Sequence, residues 1–183
     1  MRLRSLVLGV TVNPFAILGL ARSYDLDMAA AEKTHRELSR ALHPDRYVDA
    51  GASERRAALT RAVEVNEAWR VVRDPIRRAE ALLELAGAAT GEEGPSRPET
   101  APEFLMEMLE QREALAEAKQ ARDLARVHAL ASAIEARSRS VEGTLGAGFA
   151  RGEAASLVGK LAELRFYRRF LDEVSAIEDE LAA

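Results

Sequence analysis

The sequence predicts an all-α protein: a four-helix N-terminal unit, a linker and a three-helix C-terminal unit. Three observations carry that expectation. Helix-start devices recur, notably Asn13-Pro14 and Asp74-Pro75, where a capping side chain precedes a proline at the first helical position. Apolar residues return every three to four positions, while strand-like alternation is almost absent. Between the two helical regions, residues 87–102 read GAATGEEGPSRPETAP, with three glycines, three prolines and no large apolar residue, which is the composition of a linker.

Taken in order, Asn13-Pro14 opens a helix of about one to two turns, with Phe15, Ile17 and Leu18 apolar and Gly19 as its stop. Asp27 caps a second helix running to about Leu42. Its inner side is Ala31, Thr34/His35, Leu38 and Leu42, and its wetter side is Lys33, Arg36, Glu37 and Arg40. Pro44 ends it, because the residue before a proline is pushed out of the helical region. Ser53 caps a third helix over about 54–73, whose recurring positions are Leu59, Ala62/Val63, Asn66, Trp69/Arg70 and Val72. Asp74-Pro75 opens a fourth, to about Ala86, closed by Gly87. After the linker come helices over about 103–119 and 121–142, a glycine break at Gly143, Gly146 and Gly148, and a last helix over about 152–181. These three form an antiparallel bundle with Leu124, Val127, Leu130, Ile134, Val141, Leu157, Leu161, Leu164, Leu171 and Val174 as core candidates.

Composition narrows the function classes. At 183 residues, 48% hydrophobic and 31% charged, the chain reads as soluble and globular. It has no cysteine, which excludes disulfides, thiolate metal sites and thiol nucleophiles, and three histidines leave little for a metal centre. The net charge of −4 gives no basic excess for a phosphate backbone. Residues 1–87 hold 14 basic against 12 acidic side chains and residues 88–183 hold 12 against 18, so a mildly basic half precedes an acidic one. Arg2 and Arg4 precede an apolar run from Leu6 to Val12 with no acid before Asp25, a leader-like start that lacks a small-residue cleavage site. A cytoplasmic protein is expected, with an organellar matrix as the alternative. No stretch approaches the ~20 apolar residues of a membrane span.

His43-Pro44-Asp45 lies between the second and third helices. A proline in a turn stiffens the backbone, so the flanking imidazole and carboxylate project from a corner as a fixed pair. Asp45 can accept a charge-assisted bond from a partner arginine and His43 offers a ring nitrogen. Lys33, Arg36, Arg40 and Arg46 add a positive face that steers an acidic partner there. An enzyme reading, with His43 and Asp45 as a base pair or as metal ligands with His35, finds no nucleophile or oxyanion site at recognisable spacing. In that sequence of helices the tripeptide resembles a J domain, the module with which co-chaperones stimulate a DnaK-type ATPase.

Further phrases resemble the HscB family, J-type co-chaperones of iron–sulfur cluster assembly. They are Asn13-Pro-Phe-Ala-Ile-Leu-Gly-Leu20, Tyr24-Asp-Leu-Asp27, His43-Pro-Asp-Arg-Tyr47, Asn66-Glu-Ala-Trp69, Arg77-Arg-Ala-Glu-Ala-Leu-Leu83, Phe104-Leu-Met-Glu-Met-Leu-Glu-Gln-Arg-Glu113 and Leu164-Arg-Phe166. The resemblance implies a J domain over 12–86, after an extension over 1–11, that engages an HscA-type chaperone. It also implies a bundle over 103–183 that holds an IscU-type cluster scaffold.

The fifth helix supports a binding face independently. At about 100° per residue, Glu103, Glu107, Glu110, Glu113 and Glu117 fall within roughly 120° of arc, while Phe104, Met108 and Leu115 face the other way as core. Leu105, Met106 and Leu109 form an apolar ridge beside the acids. An apolar ridge bordered by one sign of charge is the anatomy of a docking surface, although a solvated face and ordinary core explain the same residues more simply. Carried over from the resemblance, the scaffold-binding positions are Leu105, Met106, Leu109, Glu110, Glu113, Glu117 and, on the last helix, Phe166.

Three departures from the family pattern stand out. Arg46 follows the tripeptide where lysine is common, Leu42 precedes it where an aromatic is common, and His35 stands where an aromatic is expected. The expectation is an adaptor with no catalytic site or cofactor of its own and with no nucleic-acid or membrane partner. The alternative is a general J-domain co-chaperone with a different client, and the oligomeric state is open.

Overall fold

In the computed structural model, which describes residues 13–88 and 101–182, helix starts are set by side chains bonding to backbone. The N-terminal extension over 1–11 and most of the linker lie outside the described residues. Asn13 Oδ1 accepts from the amides of Phe15 and Ala16 at 3.1 and 3.2 Å and opens α1 (Pro14–Ile17). Asp27 Oδ1 accepts from the Ala30 amide at 3.0 Å and opens α2 (Met28–Ala41). Asp74 Oδ1 accepts from Ile76 and Arg77 at 2.9 and 3.1 Å and opens α4 (Pro75–Leu85). Each bond satisfies amides that have no partner within the helix.

The described residues divide into two compact units between Ala88 and Ala89. In the first, α3 (Ala52–Arg73) is the element on which α1, α2 and α4 all pack. Phe15, Leu18, Ala31, Val65, Val72 and Leu83 are almost completely buried around it. Arg78 is buried too: its guanidinium lies 4.8 Å over the Tyr24 ring and donates to the Val72 carbonyl at 3.0 Å. It thereby ties the loop between α1 and α2 to the α3–α4 corner. Gly87, at φ +76°, closes α4: its amide bonds to the Glu84 carbonyl and that of Ala88 to Leu83, the double bond that needs a left-handed residue.

The second unit is α5 (Pro102–Gln120), α6 (Leu124–Ala150) and α7 (Val158–Ala182), with α6 and α7 packed along each other and α5 against both. Met108, Leu115, Ile134, Leu161 and Phe170 lie in its core. The Arg122 guanidinium, in the α5–α6 turn, donates to the Leu181 carbonyl at 3.4 Å, so the end of α7 returns to that turn. The all-α class is as expected, and no strand occurs among the described residues.

Four sequence expectations are corrected. Ser53 does not cap α3: the helix begins at Ala52, after Gly51 in extended conformation, and has no side-chain cap bond. Leu59 and Val63 are not core but 59% and 55% exposed, because α3 turns Ala58, Val65, Ala68 and Val72 inward instead. Leu124 is exposed, Leu130 and Leu171 are half-buried, and Tyr167, Phe170 and Ile177 fill the bundle core alongside the remaining candidates. The glycine break does not exist: α6 runs through Gly143, Gly146 and Gly148 to Ala150. Gly148 is there for packing, since a Cβ on it would lie 2.6 Å from Leu157 Cδ2. The stop comes at Gly152, φ +76°, and a 3₁₀ turn over Ala154–Leu157 leads into α7.

Candidate binding surfaces

The His43-Pro44-Asp45 corner follows directly on α2. His43 is extended (φ −62°, ψ 134°), as a residue before proline should be, and Pro44–Tyr47 then form a 3₁₀ turn. The turn is pinned from both sides. The Tyr47 hydroxyl donates to the Ala41 carbonyl at 3.3 Å, and Arg55 on α3 donates to the Val48 carbonyl at 3.2 Å.

Within the corner the Asp45 amide donates to His43 Nδ1 at 3.3 Å. That nitrogen accepts, so in the neutral ring the proton sits on Nε2 and is available to a partner. The Asp45 carboxylate, 3.4 Å from the same Nδ1, has 86% of its side chain in water. The corner therefore presents one donor and one carboxylate on a backbone that cannot relax away.

Lys33, Arg36 and Arg40 lie at three- and four-residue spacing on α2 and are exposed, as is Arg46 in the turn. Arg36 pairs with Glu32 at 3.5 Å in full view of solvent, a contact of little energetic weight. His35 faces inward, stacked on Trp69 with ring centroids 5.0 Å apart and planes 10° apart. Its Nε2 also meets Asn66 at 3.1 Å and Ser39 at 3.2 Å, so this histidine does the packing of the aromatic expected there.

In the second unit, Leu105, Met106 and Leu109 on α5 are 45%, 62% and 54% exposed. The five-glutamate stripe is only partly free. Glu107 pairs with Arg137 of α6 at 2.6 Å and Glu117 with Arg126 at 2.9 Å. Glu103, Glu110 and Glu113 are exposed, with no ion pair among the described residues. Phe166 on α7 is half-buried, edge-on to Phe104 with centroids 5.7 Å apart, and the Arg169 guanidinium lies 5.5 Å from its ring.

Beside the corner lies a surface that the sequence analysis did not single out. A cleft of about 270 Å³ is lined by Leu42, Pro44, Tyr47, Arg55, Ala58 and Leu59. Val48 and Val63, 65% and 55% exposed, are the other large apolar side chains that the described part of this unit leaves in water. The signal was present: α3 carries two apolar sets, 58/65/68/72 and 59/63, and only one can face inward. Among the described residues no cluster of three or more His, Asp or Glu is placed to hold a metal ion. No helix there is long and apolar enough to cross a membrane.

Comparison with known proteins bears on both units. Residues 100–175 match the family model described as the HSCB C-terminal oligomerisation domain. The co-chaperone protein HscB homolog of Cupriavidus taiwanensis is 36% identical over 167 residues, covering 91% of this chain and 94% of that one. The homolog of Shewanella halifaxensis is 30% identical, covering 93% and 99%. Chaperone HscB from Vibrio cholerae superposes with a TM-score of 0.81 at 30% identity, over 93% of this chain and 99% of that one. Human co-chaperone HscB superposes with the same TM-score of 0.81 over 91% and 82%; at 22% identity that is a likeness of fold.

Proposed function

The chain belongs to the HscB family of co-chaperones, and from that premise we propose that it delivers an iron–sulfur cluster scaffold to a DnaK- or HscA-type chaperone and stimulates that chaperone's ATPase. The observation that carries the reading is the rigid, exposed His43-Pro44-Asp45 corner at the end of a basic helix.

The corner works as a selective binder. Asp45 accepts from a cation on the chaperone, His43 Nε2 donates, and Lys33, Arg36, Arg40 and Arg46 speed encounter with an acidic surface. Binding accelerates hydrolysis only if the corner fits the hydrolysis-competent state of the ATPase better than the resting one, so its effect is a population shift. The catalytic groups belong to the chaperone, and this chain supplies no cofactor.

In the second unit the scaffold covers Leu105, Met106 and Leu109, with Phe166 at the margin, while Glu110 and Glu113 select basic groups around that contact. Glu117 contributes less, because Arg126 already neutralises it. On this reading the protein acts in the cytoplasm, which the bacterial relatives support.

The deciding experiment is Asp45→Asn in a steady-state ATPase assay with purified chaperone. The change keeps the shape of an exposed side chain and removes its charge, so stimulation disappears while the helical circular dichroism signal stays. Unchanged stimulation rejects the reading. The description of the matched family model as an oligomerisation domain favours a second use of this unit, contact between copies of the chain. Sedimentation of the purified protein over a range of concentrations tests it.

A further inference from the structure

We propose that the apolar cleft beside the His43-Pro44-Asp45 corner, with its extension over Val48 and Val63, is a second half of the chaperone-binding surface. It receives an apolar side chain that projects from an acidic patch on that partner. The inference rests on the co-chaperone reading above and adds to it a contact that the corner alone does not supply.

Folding leaves part of α3 uncovered. Leu59 and Val63 sit one helical turn apart on α3, and both remain more than half in water although the same helix buries Ala58, Val65, Ala68 and Val72. Leaving apolar side chains exposed forgoes about 25 cal/mol for each Å² that could have been buried. Val48 joins them through the bond between Arg55 and the Val48 carbonyl, which holds the segment after the turn against α3. These three are the large apolar residues that the described part of the first unit exposes: Leu59 lines the cleft, Val63 lies one turn further along α3, and Val48 directly follows the 3₁₀ turn.

Position supplies the occupant. Pro44 belongs to the corner and is also a wall of the cleft. A partner close enough to pair with Asp45 therefore lies over the cleft as well. A specific interface covers about 800 Å² per partner, with an apolar centre and a polar rim. His43 and Asp45 provide a polar rim only; Leu42, Tyr47, Ala58 and Leu59 provide the centre.

Charge selects the partner's surroundings. Arg55 lines the cleft, Arg56 stands beside Leu59 at its outer edge, and Arg46 is exposed on the turn. The complement of an apolar hollow with Arg55 in its wall, and with Arg46 and Arg56 exposed on the adjoining turn and helix, is an apolar knob with carboxylates around it, which is also what the basic face of α2 calls for.

The test uses the full chain carrying Leu59→Ser and Val63→Ser, with a DnaK-type chaperone, in a single-turnover ATPase assay over a range of co-chaperone concentrations. The concentration for half-maximal stimulation should rise about tenfold, the loss expected when apolar anchors are removed from an interface. Both side chains are exposed, and Trp69 fluorescence with far-ultraviolet dichroism reports whether α3 is intact. As a variant that spares the apolar wall, Arg56→Glu should weaken stimulation at low salt and recover as salt rises. If Asp45→Asn abolishes stimulation while the serine variant titrates like wild type, this inference is overturned and the co-chaperone reading stands. If Asp45→Asn has no effect either, the reading beneath it has failed. A concentration-dependent dimer that the serine variant loses would overturn it in favour of a second copy as occupant.

Discussion

Replacing Leu105, Met106 and Leu109 together by alanine tests the bundle surface, and its size follows from exposure. The three side chains are 45%, 62% and 54% exposed, so roughly half of each remains for a partner to bury. Fully burying a leucine or methionine side chain is worth about 1.5–3 kcal/mol, which leaves about 0.8–1.5 kcal/mol each for binding. The three sum to about 2.4–4.5 kcal/mol, or a dissociation constant raised about 50-fold to 2,000-fold. The buried halves contribute packing of similar size, so far-ultraviolet dichroism has to show the triple variant folded before its affinity is read. Phe166 is kept out of the variant because its edge contact with Phe104 would mix stability with binding. Titration calorimetry against a purified IscU-type scaffold reads the change, and Leu124→Ala, an exposed leucine on another helix, serves as the control. A triple variant within about fivefold of wild-type affinity would show that the ridge is a solvated helix face, and the reasoning would be wrong.

Three further predictions concern the bundle itself. Within α6, Gly143→Ala should stabilise by up to about 1 kcal/mol, because nothing lies within 4 Å of the new methyl and alanine is the better helix former. Gly148→Ala should destabilise by up to about 2 kcal/mol net, since its methyl would meet buried Leu157 at 2.6 Å and overpacking costs about 1–3 kcal/mol. Urea denaturation followed by dichroism measures both, with Trp69 fluorescence marking the first unit separately; a stabilising Gly148→Ala would refute the packing argument. Burial pushes the Tyr167 phenol above its ordinary range, with the Glu163 carboxylate adding, Arg137 opposing and Glu107 adding again. A raised value in the folded state means that its contribution is whole below about pH 10 and is lost as pH climbs through the folded value. Thermal melts between about pH 9 and 11 should show wild type losing bundle stability faster than Tyr167→Phe, and parallel losses would count against the assignment.

Much of the fold was legible because its signals are local. Asn13-Pro14, Asp27 and Asp74-Pro75 mark helix starts through bonds that close within three residues, and all three appear where they were expected. Ser53 failed by the same logic: an N-cap works only in the residue just before the helix, and α3 had already begun. The corner could be read in advance because Pro44 imposes its own geometry on His43. The glutamate stripe was half legible. Helical spacing put five acids on one face, but Arg126 and Arg137 come from another helix, and no pattern within α5 announces them.

What the sequence by itself determined is therefore the list of helices, the starts of α1, α2 and α4, and the exposed tripeptide between α2 and α3, all consequences of covalent geometry and bonds between near neighbours. Tertiary structure alone decided which apolar set of α3 went inside, how far α6 ran, and which glutamates stayed unpaired. At about 100° per residue the two sets point roughly 155° apart around the helix, and both satisfy helical spacing. Only the surface offered by the neighbouring helices chooses between them. Here α1, α2 and α4 took the face of Ala58, Val65, Ala68 and Val72, and Leu59 and Val63 were left in water beside the corner.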